Sequence, residues 1–149
     1  MEAEARFQQL ESQHDWEGAR GALERAIAET ESSEARASLH LRLGRLLRDQ
    51  LLQGVAALKH FQDAYKLNPG LTESLADARA VYWELGKLPM VQKLLLLELK
   101  AVGGGGRAAE LYRALGDVLS DQGDLEGATD AYKKALQAGA KVDELLADA

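Results

Sequence analysis

A hairpin pattern that cannot bury its own apolar surface, and that recurs along the chain, constrains this sequence more than any other feature. Its clearest copy is the stretch 109–140, AELYRALGDVLSDQGDLEGATDAYKKALQAGA. Tyr112, Leu115, Gly116 and Leu119 recur at three- and four-residue steps, which places them on one helix face. Gly123-Asp124 interrupts the pattern. Gly123 suits a left-handed helix end and Asp124 suits an N-cap. A second helix follows, with Leu125, Ala128, Tyr132, Ala135 and Leu136 expected on its inner face. Gly116 and Ala128 are small where the two helices should cross, so the backbones can approach closely. Such a hairpin needs neighbours.

The pattern supplies them. His40, Leu43-Gly44 and Leu47 are followed by Ala57, Phe61, Ala64 and Pro69. Leu75, Ala78-Arg79 and Tyr82 are followed by Gly86, Val91 and Leu95. Near the start, Asp15-Trp16-Glu17-Gly18-Ala19 precedes Leu23 and Ala26. With Ala19, Ala57, Val91 and Ala128 taken as equivalent, the steps are 38, 34 and 37 residues, a period typical of stacked repeats. The Leu-Gly pair, the aromatic, and the Ala-x3-Phe, Ala and Pro run closely resemble the tetratricopeptide repeat (TPR). The resemblance covers nearly the whole chain and is clearest over 37–70 and 109–140. It implies an all-α, right-handed α-solenoid of about four helix pairs in a single domain over 1–149. The pairs are expected near 2–29, 34–67, 72–102 and 107–138, with a short terminal helix over 141–148.

Two positions in the third pair depart from the family. Arg79 stands where a small residue usually lets helices touch, and Glu98 at a usual Ala position. Either a register slip leaves both at the surface, or they form an ion pair between helices, with a desolvation cost. Gly103–Gly106 lacks the strand and the spacing of a phosphate cradle and reads as a spacer. The turn Asp49–Gly54 is one residue longer than the family's, which leaves Leu51 and Leu52 partly exposed.

Composition then excludes function classes. The chain has no Cys, which removes disulfides, thiolate metal sites and Cys nucleophiles. His14, His40 and His60 show no ligand spacing, and His40 is expected to pack between helices. Asp121-x-Gly123-Asp124 fails as a calcium loop because Gly123 and Leu125 sit where oxygen ligands are needed. No nucleophile elbow is present. The expectation is therefore no enzyme, no cofactor and no metal. A net charge of −6 argues against general affinity for nucleic acid or anionic membrane. No signal-peptide pattern and no span-length apolar run occur, which points to a cytoplasmic setting. Abundant Arg, Ala, Gly, Leu and Asp point to a GC-rich bacterial genome. Lys141–Ala149 reads as the start of another first helix, either a short cap or the continuation of a longer protein.

Function should then lie on a surface. The resemblance implies that the first helix of each pair lines a concave groove. Carried over residue by residue, this gives Ser38, Leu41, Arg42, Arg45 and Arg48, then Glu73, Ala76, Ala80, Trp83 and Glu84, then Glu110, Arg113, Asp117 and Ser120. Arg42, Arg45, Arg48, Trp83, Arg113 and Asp117 are the candidate partner-binding residues. Arg42, Arg45 and Arg48 share a helix face, where they either meet a ligand or pair with neighbours such as Asp49 and Glu73. Trp83 is either a candidate peptide anchor, because Tyr82 already fills the adjacent core position, or a packing residue folded back over Leu41. The family's Lys and Asn clamp for a terminal carboxylate is not reproduced, since Leu41, Arg45, Ala76 and Ala80 occupy its places. A looser preference for acidic or C-terminal segments remains. The expected role is an adaptor or scaffold binding a protein or peptide. The alternatives are self-assembly through Leu145 and Leu146, or a regulatory domain of a longer protein.

Overall fold

The computed structural model describes the backbone of residues 2–147 and the side chains of 4–139. The described residues form eight α-helices: α1 (Glu2–Ser12), α2 (Trp16–Glu29), α3 (Ser33–Asp49), α4 (Gly54–Leu67), α5 (Glu73–Glu84), α6 (Leu88–Val102), α7 (Gly106–Asp121) and α8 (Leu125–Ala147). Two compact units are resolved, Met1–Val81 and Tyr82–Ala149. The division falls inside α5.

In the first unit, α3 and α4 form the most tightly joined pair. The cause is Gly44: a Cβ built there would lie 2.5 Å from Phe61 Cε1, so the phenyl ring occupies the space a side chain would need. Phe61, Leu43, Leu47 and Leu23 are all buried to 1% exposure or less and form the centre of this core. The second unit repeats the device, with the Tyr132 ring of α8 seated on Gly116 of α7. Its core adds Val91 and Leu95 of α6 and Leu111, Leu115 and Val118 of α7.

The turns also repeat. Asp15 Oδ1 accepts a hydrogen bond from Gly18 N at 3.0 Å, and Asp124 Oδ1 accepts one from Gly127 N at 2.9 Å. These N-caps satisfy one of the free donors at each helix start. Before each cap the chain passes through the left-handed region, at His14 (φ 57°) and Gly123 (φ 85°). Closure follows when Asp15 N donates to Leu10 O, and Asp124 N to Leu119 O, both at 2.9 Å. Between α3 and α4 the closing bond runs instead from Gln53 N to Leu47 O, one residue further. The extra residue places Leu52 at φ 54° and leaves its side chain 83% exposed. The long turn and exposed leucine are as expected from the sequence.

Two sequence expectations change, and one open alternative narrows. The inner stripe of α8 is Ala128, Ala131 and Ala135 with Tyr132 half-buried, while Leu125 and Leu136 are 68% and 75% exposed. At about 100° per residue, Leu136 lies roughly 100° from the middle of that stripe, too far round to enter the core. The helix break expected before 141 is absent, because α8 runs unbroken to Ala147; the side chains of Leu145 and Leu146 lie outside the described residues. Of the two readings open for Arg79 and Glu98, the one that leaves both at the surface does not hold for Glu98. This residue is buried to 2%, with its Oε1 3.7 Å from Arg107 Nη2.

Candidate functional site

The three arginines of α3 form an organised surface within the first unit. Their three-residue step turns each about 300° around the helix, so the row drifts slowly across one face. Arg42 donates from Nη1 to both carboxylate oxygens of Glu4, at 2.9 and 2.7 Å, and its guanidinium lies 4.3 Å over the Phe7 ring. Arg45 donates from Nε to Asp77 at 2.7 Å and from Nη2 to Glu73 at 3.0 Å. Arg48 donates to Asp77 at 3.1 Å and forks onto Asp49 at 2.7 and 3.1 Å. Asp77, only 17% exposed, thus bridges Arg45 and Arg48.

These contacts set the protonation of the acids. Hydrogen bonding from Arg42 holds Glu4 below the usual carboxylate value, and hydrogen bonding from Arg48 does the same for Asp49, each against a smaller opposing effect of burial. The guanidinium row is therefore neutralised by residues of α1, α5 and its own helix end. Neighbour pairing is the observed state.

Beside the row lies a depression of about 290 Å³ lined in part by Phe7, Trp16, Leu46, Arg42, Arg45 and Glu11. Phe7 and Trp16 give it an aromatic wall, while Arg42 and Arg45 supply a polar edge. Trp16 is half-buried and stacks on His14, with ring centroids 5.3 Å apart and planes 13° from parallel. In the sequence Trp16 stands out only as a marker of the first repeat. The available signal was its place at the first turn of α2, directly after an N-cap, where a large side chain is not needed for the core.

The other candidates belong to the second unit. Trp83 is 46% exposed at the end of α5. Glu110, Arg113, Asp117 and Ser120 are all exposed and share one face of α7. Asp117 accepts a hydrogen bond of 2.6 Å from Tyr132 Oη. That bond keeps the phenol protonated above its usual value of 10.0.

A third arrangement was not foreseen. His40 of α3 and His60 of α4 face each other, Nδ1 to Nδ1, at 3.0 Å, with their rings 5.3 Å apart. Asp63, one turn beyond His60, presents its carboxylate to the same point, the three ligand-type atoms all lying within 4.8 Å of one another. His40 is 8% exposed, and His60 and Asp63 are half-buried. Burial is the main cause that holds both imidazoles below the ordinary histidine value of 6.5, and for His60 its neighbour His40 adds to it. The spacing of 20 residues has no local meaning. It becomes a contact because the two positions lie on opposite arms of the α3–α4 hairpin, which the turn folds against each other.

No protein-family model matches the sequence, and no curated protein matches it either. Solved structures do. The MamA protein aligns over 91% of this chain and 70% of its own, with a TM-score of 0.69 and 16% identity. YrrB, described as a TPR protein with an unusual peptide-binding site, aligns over 89% of this chain and 64% of its own, with a TM-score of 0.64 and 21% identity. PilF of Pseudomonas aeruginosa aligns over 94% of this chain and 62% of its own, with a TM-score of 0.60 and 18% identity. Among the described residues no helix is long and apolar enough to cross a membrane. Together with the two glycine-seated aromatic rings, these likenesses establish that the chain has the all-α helical-repeat fold of the tetratricopeptide proteins.

Proposed function

We propose that the chain is a non-catalytic protein–protein interaction module whose α3 face takes a segment of a partner protein. The observation that carries this reading is the depression lined by Phe7 and Trp16 at the edge of the Arg42–Arg45–Arg48 row. An apolar or aromatic anchor of the partner fills the depression, and a side-chain or terminal carboxylate exchanges with Glu4 or Glu73 on the guanidiniums. Aromatic anchors of this kind dominate interface energetics, while exposed ion pairs contribute little. Affinity therefore comes mainly from the anchor, and preference for an acidic or C-terminal segment comes from Arg42 and Arg45. The peptide-binding site of YrrB, a fold relative, supports the choice of a peptide as ligand. In the second unit, Trp83, Arg113 and Asp117 are proposed as a further contact surface for the same class of partner.

A peptide array tests this directly. Twelve-residue peptides carrying one aromatic or leucine are offered with a free or an amidated C-terminus, and binding is followed by fluorescence anisotropy. The expected result is selection of anchored peptides with a free or acidic end. Binding should fall at least tenfold in Trp16→Ala and lose its carboxylate preference in Arg45→Gln. Equal binding by wild type and Trp16→Ala would reject the site.

A further inference from the structure

We propose that His40, His60 and Asp63 form a binding site for a divalent first-row transition metal ion, with zinc as its natural test ion. The chemistry of the donors selects the class. Two imidazole nitrogens with one carboxylate oxygen suit zinc, nickel or copper and are a poor set for calcium or magnesium, which require an oxygen cage.

The geometry is close to what an ion needs. Two nitrogens about 2.0–2.1 Å from one ion lie roughly 3.3 Å apart at the tetrahedral angle and about 2.9 Å apart at a right angle. The observed Nδ1–Nδ1 separation is 3.0 Å, between those limits. Without an ion the same gap holds a single proton, which one imidazole donates to the other. An ion replaces that proton, and each ring then carries its own proton on Nε2. Asp63 completes three protein ligands after a rotation of its side chain. The half-buried setting leaves a fourth position to water or to a ligand atom of a partner.

The surrounding charges neither supply nor oppose the ion as a group. Glu24 of α2 and Asp63 of α4 favour positive charge at the pair; Arg36 of α3 and Lys59 of α4 oppose it. Selectivity therefore rests on the donor set. Since His40 and His60 sit on the two arms of one hairpin, a bound ion ties α3 to α4, and binding must stabilise the first unit.

The test uses the untagged full chain, stripped with chelator and dialysed, titrated with zinc chloride by calorimetry at pH 7.5. One equivalent should bind with a micromolar Kd. Zinc at a hundredfold excess over Kd should raise the thermal midpoint by on the order of 10 °C, and magnesium should do neither. Cobalt(II) should give the visible absorption of a four-coordinate site. His60→Asn and Asp63→Asn, both at half-buried positions, should weaken zinc binding at least tenfold with the helical spectrum unchanged, whereas His14→Asn should bind as wild type. Failure of the wild-type chain to take up one equivalent below 100 µM overturns the proposal. So does retention of affinity in His60→Asn. Unchanged affinity in Asp63→Asn alone overturns the three-ligand assignment.

Discussion

Replacing Gly44 by alanine tests the argument that a glycine-seated ring holds the α3–α4 pair together. The new Cβ meets three atoms of Phe61, at 2.5, 2.8 and 3.1 Å, where ordinary carbon contacts need about 3.5–4.0 Å. Phe61 is 1% exposed, so its ring has no free volume to enter. Relief requires the helices to part or the ring to leave its rotamer, at about 1–3 kcal/mol. Alanine returns about 1 kcal/mol through its higher helix propensity. The net expectation is a loss of up to about 2 kcal/mol, which for a unit of this size lowers the midpoint by up to roughly 15 °C. Urea unfolding followed by circular dichroism at 222 nm reads it. Gly21→Ala on α2 is the matched control, because nothing lies within 4 Å of its added Cβ; it should gain about 0.5–1 kcal/mol. The double substitution Gly44→Ala/Phe61→Leu should recover part of the loss. A Gly44→Ala chain as stable as Gly21→Ala would refute the close-approach reasoning.

Other outcomes follow from the turns and the arginine row. Leu52→Gly should stabilise the chain by about 0.5–1 kcal/mol, since Leu52 holds φ 54° with its side chain in water; the urea midpoint checks it. Asp124→Ala removes the cap on Gly127 N and should cost about 1 kcal/mol, as should Asp15→Ala for Gly18 N, both read from thermal midpoints. Acidification should remove the contributions of Glu4 and Asp49. Their folded values are depressed, so the unfolded chain binds more protons as pH falls past the ordinary 4.5 and 3.8. Stability from these groups is complete above that range and declines below it. Urea midpoints at pH 5 and pH 3 should differ less in Glu4→Gln/Asp49→Asn than in wild type.

The features legible in the sequence were those that repeat with the helix. Leu43-Gly44 against Phe61, and Leu115-Gly116 against Tyr132, occupy the same register in two pairs, so their roles could be read twice. The same holds for Asp15 and Asp124 as caps. Leu125 and Leu136 misled because both are strongly apolar and both lie near the edge of the correct face; a stripe of alanines carries little hydropathy and was outweighed. The arginine row was visible as a row, but Asp77 and Glu4, which neutralise it, come from other helices. The His40–His60 contact lies beyond any local pattern, because only the length of one turn brings those rings together.

Asp77, clasped by Arg45 and Arg48, has a kinetic consequence. Three guanidiniums along α3 face four carboxylates, from Glu4, Asp49, Glu73 and Asp77. Beyond a Debye length of about 8 Å such a surface presents no positive field to an approaching anion. An acidic partner is therefore not drawn in from a distance, and added salt should not slow its association with a chain of net charge −6. Selection takes place after encounter, when one carboxylate displaces another, and it shows in the lifetime of the complex rather than in the speed of its formation.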